Sequence, residues 1–297
     1  MNRTSITVFV VFLVLTLCSA STQAAVSNGG SLQLVELKSP VQQGSKTAYI
    51  DLFRKLFPDM QTDSTDDEAV IAHRSVPIRR IDADQESVVL ESDIEIKVFD
   101  SRWVRSAGRR LLLLRADLSA EGANEATPYE GEATILAVFS LEPTIELLDM
   151  MDIKTDRITG FWGNHPVVHL NSQNDAFVIY STHWNAGESY NDLALMFVDD
   201  GRFKVISSLF LFNTQGCGVT FTESPSFRAL PAVGHKYPKI LVTVRLKKDA
   251  DTNECDRRTR AYTKYYQALY YWNQAKAQYE SSSHQLDKLD KFNRDRL

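Results

Sequence analysis

Residues 193–212 read LALMFVDDGRFKVISSLFLF, and this stretch decides the fold. Leu193 to Val198 is a continuous apolar run, Asp199-Asp200-Gly201 is a turn, and Phe203 to Phe212 runs back. An Asp-Gly pair tolerates the positive φ of a tight connection, so the stretch predicts a β-hairpin. The plan recurs on either side. Thr134–Phe139 and Ile145–Met151 flank a turn at Leu141–Pro143, and Thr263–Trp272 and Ala277–Tyr279 flank a turn at Asn273–Lys276. Ile94, Ile96 and Val98 alternate, whereas Leu111–Leu114 is uninterrupted, as in a strand buried on both faces. Val88–Leu90, Val167–Leu170, Ala176–Tyr180 and Ile240–Leu246 add further strands. The expected fold is mainly β, an antiparallel meander arranged as a β-sandwich or small propeller-like sheet. The hairpins share too little sequence to count as repeats.

Outside this body the periodicity changes. Ser31–Lys38 roughly alternates and predicts an opening strand. A short N-terminal helix follows, with Ser45 as cap, Ala48, Leu52, Phe53 and Leu56 on one face, and Pro58 as its stop. A C-terminal helix carries Leu286, Leu289 and Phe292 as an apolar stripe behind caps at Ser281–Ser283. Asp59–Glu68 and Ser119–Gly131 are polar and predict loops. No linker divides residues 25–297, which read as one strand-rich globular domain.

Residues 1–24 read as a signal peptide. Arg3 precedes an apolar run from Ile6 to Leu17, and Ala24 ends a polar segment of small residues. That run makes a helix of about 18 Å, shorter than a hydrocarbon core. A rival lies in Leu15–Cys18, which resembles a lipobox and would make Cys18 the lipidated first residue of a lipoprotein. Leu17 stands where that motif wants a small side chain. The expected location is periplasmic or extracellular, with no transmembrane segment after signal removal. Cys217 and Cys255 then remain, and an oxidising compartment predicts a disulfide between them. Closing that loop is worth about 4 kcal/mol of chain entropy. The chain has net charge −5, and losing Arg3 makes the rest one unit more acidic. Such a balance argues against nucleic acid as a partner.

Motifs for chemistry fail on their spacing. Asp249, Asp251 and Asn253 begin like a calcium loop, but Glu254 and Arg260 stand where Gly and Glu are needed. His165 and His169 are four apart around Pro166, and on extended chain that is about 13 Å, too far for one metal. Gly187-Glu188-Ser189-Tyr190-Asn191 lacks the second glycine of a nucleophile elbow. No catalytic residue, metal or cofactor is therefore assigned. The arginines at 102, 105, 109, 110 and 115, preceded by Arg74, Arg79 and Arg80, read as partners for acids rather than as an anion site. Tyr262, Tyr266, Tyr270 and Trp272 share one face of a strand and read as a buried row, with Tyr265 and Tyr271 on the other face.

The remaining candidate is a ligand-binding loop of His183, Trp184, Asn185, Glu188 and Tyr190. It mixes rings, an amide, an imidazole and a carboxylate, which suits a glycan or peptide of the cell envelope. Alternation sends His183 and Asn185 to one side and Trp184 to the other. The expected function is a non-catalytic binding or interaction domain. The alternative is a hydrolase with a non-local His/carboxylate site, identifiable by a carboxylate within reach of His183 in a concave pocket.

Overall fold

A computed structural model describes residues 34–58, 60–62, 69–71, 78–81, 87–88, 94–120, 133–154, 158–163, 166–216, 218–231, 235–250 and 260–296. The expected signal segment 1–24, both cysteines of the expected disulfide, His165, Arg74, most of residues 59–68 and residues 121–131 lie outside the described residues.

Helices α1 (Leu34–Leu37) and α2 (Tyr49–Leu56) come first. Strands β1 (Met60–Thr62), β2 (Ala69–Ile71), β3 (Ile78–Arg80), β4 (Ser87–Val88), β5 (Ile94–Ser106), β6 (Arg109–Ala120), β7 (Ala133–Ser140) and β8 (Glu146–Asp152) form one sheet. Its order is β1-β2-β5-β6-β7-β8-β3-β4, antiparallel except for β3 against β8. The second sheet holds β9 (Ile158–Phe161), β10 (Val167–His169), β11 (Asp175–Asn185), β12 (Glu188–Asp199), β13 (Arg202–Gly216), β14 (Val219–Leu230), β15 (Lys239–Ala250), β16 (Tyr262–Asn273) and β17 (Gln278–Ser281). Strands β10 to β17 follow in order, with β9 also on β11. Helix α3 (Gln285–Arg294) comes last. The molecule is thus mainly β, with two sheets, two short helices at the start and a C-terminal helix, and among the described residues no closed barrel.

The second sheet folds over on itself. β12 and β13 pair from Glu188↔Thr214 to Asp199↔Arg202, but β13 meets β14 only from Thr214↔Phe221 to Gly216↔Val219. Beyond that short hinge β14 to β17 lie across β10 to β13. The Phe197 ring on β12 sits 5.8 Å from Trp272 on β16 and 5.6 Å from Tyr279 on β17, which strands so far apart in a flat sheet could not reach.

Three apolar layers result. Leu112, Leu114, Ile135, Ala137 and Phe139 pack on α1 and α2. Leu111, Leu113, Leu136 and Val138 face Phe177, Ile179, Met196 and Val198 across the two sheets. Leu193, Leu195 and Phe197 face Ile240, Val242 and Val244 inside the folded sheet. Successive residues of β6, β7 and β12 therefore enter different layers, as the period of two demands. Polar clamps fix the sheets to each other. Asp175 accepts from the Arg105 backbone at 2.8 Å and from its Nε at 3.0 Å, and Asp149 accepts from Arg79 at 2.9 Å and the Phe203 N–H at 2.8 Å. Arg115 joins Asp100, Asp117 and the Thr159 carbonyl. Arg79 thus pairs with an acid of the adjacent strand β8, Arg105 with one on the other sheet, and Arg115 with Asp100 on β5 and Asp117 on its own strand.

Several local expectations change. Leu34–Leu37 is a helical turn, not a strand. Ser39 closes it, with its hydroxyl and N–H both donating to the Glu36 carbonyl, and Leu37 is buried beside α2. Helix α2 is opened by Asp51, which accepts from the Ala48 N–H at 2.9 Å, while Ser45 accepts from Thr47. His284 is the residue before α3, and Ser283 donates to the Gln267 carbonyl instead of capping. Strand β14 went unpredicted because Pro225 interrupts it. It is tolerated because β14 has a partner on only one side there.

Candidate functional site

The β11–β12 hairpin presents the residues picked from sequence. Its register pairs His183 with Tyr190, Trp184 with Ser189 and Asn185 with Glu188. Ala186 (φ 37°) and Gly187 (φ 95°) make the turn. Gly187 is required twice over, because a Cβ there would come within 3.0 Å of the Gln215 carbonyl oxygen. Alternation places His183, Asn185, Glu188 and Tyr190 on one face and Trp184 on the other, 73% exposed.

On the shared face the rings form a ladder. His183 meets Tyr190 edge-on at 5.7 Å, and Tyr190 stacks on Phe212 at 5.0 Å and less closely on Phe210 at 6.5 Å. The Tyr190 hydroxyl donates to Glu188 at 2.6 Å, and that bond raises its pKa because ionisation would set two anions together.

The same face continues into a cavity of about 600 Å³, within the usual range for small-ligand sites. Ser181, Asp192, Ala194, Ser208 and Phe210 form its floor, since register aligns Ala194 with Ser208 and Asp192 with Phe210. Ile81 and Ile153 wall it from the first sheet, and Asp287, Asp290 and Arg294 wall it from α3. Phe210 belongs to both cavity and ladder, so the two are one surface.

The polar groups of this groove are largely held in place. Arg294 Nε donates to Asp290 at 2.9 Å, which raises the arginine pKa, and Asp287 lies 2.7 Å from His284 Nδ1. The hydroxyls of Ser181 and Thr159 share a 2.6 Å bond. Tyr270, whose pKa burial raises, accepts from Ser207 at 3.0 Å. The lining offers carboxylate acceptors, one guanidinium and an aromatic edge around a floor that mixes serine hydroxyls with Ala194 and Phe210. Sequence reading missed this cavity because its residues come from seven separate segments between Ile81 and Arg294, and only register and the placement of α3 bring them together.

An imidazole–carboxylate pair occurs elsewhere. His169 on β10 puts Nδ1 at 2.7 Å from Asp175, with its side chain 72% exposed. The carboxylate can only accept, whereas Arg105 Nη2, which can only donate, lies 3.1 Å from the same Nδ1, so its two neighbours make opposite demands on that ring nitrogen. Burial pushes Asp175 up, but hydrogen bonds from Arg105 and His169 outweigh it and hold the carboxyl below its ordinary value. The β-strand places His169 as the sequence anticipated.

The tyrosine row divides by face, though its inner side is half-buried and Tyr262 lies outside the core cluster. Tyr266, Tyr270 and Trp272 pack on the inner layer, while Tyr265 (62%) and Tyr271 (40%) are exposed. Among the described residues no cluster of three or more His, Cys, Asp or Glu side chains is placed to hold a metal ion, and no helix is long and apolar enough to cross a membrane. No protein-family model, curated protein or solved structure matches the chain.

Proposed function

We propose that the protein is an exported, non-catalytic binding domain whose ligand is a glycan or peptide of the cell envelope. The observation that carries this reading is the continuity of the 600 Å³ groove with the His183–Tyr190–Phe210 ladder on one sheet face. A ring-bearing polar ligand gains stacking from the ladder and hydrogen bonds from carboxylates already oriented by neighbours. Calorimetric titration with envelope oligosaccharides and peptides tests it, using the wild type, Tyr190→Ala and Ser208→Phe. Ser208→Phe fills the floor, so both variants are expected to lose at least tenfold in affinity, about 1.4 kcal/mol. Unchanged binding in both variants removes the groove from consideration.

Export by cleavage after Ala24 and a Cys217–Cys255 disulfide belong to the same proposal. The disulfide rests on the even cysteine pair that remains after signal removal in an oxidising compartment. N-terminal sequencing should find Ala25, with a lipid-modified Cys18 as the contrary result. Thiol labelling of the exported protein under denaturing conditions should find no free cysteine before reduction.

A further inference from the structure

Where β13 parts from β14 its outer edge loses a partner strand, and side chains take over. Glu223 Oε2 accepts from the Phe212 N–H at 3.1 Å and from Asn293 Nδ2 at 2.8 Å, and Asn293 also donates to the Phe210 carbonyl at 2.9 Å. The second oxygen of Glu223, Oε1, faces a small chamber occupied by Arg296. Phe212, Phe221 and Phe292 surround the guanidinium, with ring centroids 5.0, 4.6 and 4.5 Å from its central carbon. The Glu223 side chain is fully buried.

The fit of Arg296 is lopsided. Its Nη2 lies 2.6 Å from Asn293 Oδ1, 2.9 Å from Glu223 Oε1 and 3.3 Å from the Phe212 carbonyl. A terminal guanidinium nitrogen has two hydrogens for those three acceptors. Its Nε and Nη1 are buried with no hydrogen-bond partner. Buried unpaired donors are costly, and arginine normally occupies a site that uses its planar fork. Here the chamber offers three acceptors converging on one nitrogen, and ring faces around the rest. That is the complement of an ammonium, which has three hydrogens on a single nitrogen and an aliphatic stem.

We propose that this chamber is a binding site for a primary alkylammonium group, such as a lysine side chain or a small amine, which Arg296 fills in cis. The chamber shares the Phe212 ring with the ladder, but none of its three acceptors lines the groove. Ligands in trans compete with a tethered cation whose effective concentration is in the millimolar range or above, so the wild type binds them weakly.

The test uses the full chain with Arg296→Ala, its fold verified by near-ultraviolet circular dichroism. It is titrated with n-butylammonium, n-butylguanidinium and n-butanol at matched ionic strength. Arg296→Ala should bind butylammonium about tenfold more tightly than butylguanidinium, and more tightly than the wild type does. Adding Glu223→Gln should abolish that binding. Equal or tighter binding of butylguanidinium, binding of butanol as tight as that of butylammonium, or no binding of any of the three, overturns the proposal. If Arg296→Ala does not fold, Arg296→Lys decides, because it leaves an ammonium in cis. A melting temperature at or above that of the wild type is expected, and a lower one overturns the proposal.

Discussion

The two leaves of the folded second sheet are built on opposite rules. In the inner leaf, consecutive residues Leu195, Met196, Phe197 and Val198 of β12 are all buried, because both faces are covered. In the outer leaf, Ile240, Val242, Val244 and Leu246 of β15 are buried, Leu241 and Thr243 between them are half-buried, and Arg245 and Lys247 are exposed. One strand is buried at every one of these positions and the other alternates in burial. The difference teaches that an apolar run reports the number of covering layers and not merely the presence of a strand.

Truncation on adjacent positions tests this most severely. Met196→Ala and Phe197→Ala point into different layers, and each should cost about 2–5 kcal/mol in urea unfolding. On β15, Val244→Ala should cost much more than Arg245→Ala, which should stay within about 0.5 kcal/mol. Equal losses at 244 and 245 would show that the outer leaf is covered on both faces.

The join between the leaves should be nearly as sensitive. Glu223→Ala strips the Phe212 N–H of its acceptor and leaves a buried guanidinium without its carboxylate, a loss of about 3–5 kcal/mol. A change below about 1 kcal/mol would mean that water replaces the carboxylate at this edge.

Acidity separates the two kinds of buried carboxylate. Burial raises the pKa of Glu223 above its ordinary value of 4.5. The folded state then holds the proton more tightly than the unfolded state, so this group's contribution falls as pH rises from about 4.5 through the folded pKa. Asp175, which clamps the two sheets, is shifted below its ordinary value of 3.8. Its contribution is present above that value and is lost as pH falls through the lower folded pKa. Urea melts across pH 2.5–8 (about that range covers both windows) should show Asp175→Asn flattening the acid limb and Glu223→Gln flattening the slope above it. Swapped effects would contradict the assignment.

The smallest effects belong to the outward rings. Trp184→Ala and Tyr265→Ala should each change stability by less than about 0.5 kcal/mol, given their exposures of 73% and 62%. A large loss at Trp184 would place that ring against the body of the protein, contrary to the hairpin's alternation.

Much of this organisation was legible in the chain. The hairpin at Leu193–Phe212, the doubly buried Leu111–Leu114, the apolar stripe of α3 and the division of Tyr265 and Tyr271 from Tyr266 and Tyr270 all follow from periodicity and turn chemistry. So does the split of His183 and Asn185 from Trp184. Ser31–Lys38 misled because four apolar positions in eight residues fit a strand or a helical turn, and only the Ser39–Glu36 bonds and the packing of Leu37 choose between them. Strand β14 was obscured by Pro225, whose acceptability depends on a missing neighbour that no local pattern records.

By itself, then, the sequence determined most of the strands, which way they alternate and where the hairpins reverse, because these are properties of a few consecutive side chains and their φ preferences. The folding of the second sheet, the groove beneath α3 and the enclosure of Arg296 were decided by tertiary structure. Each depends on where two neighbouring strands stop pairing, and β13 is unpaired with β14 before Thr214, where side chains remote in sequence, Glu223, Asn293 and Arg296, take up the hydrogen bonds that the ladder leaves open.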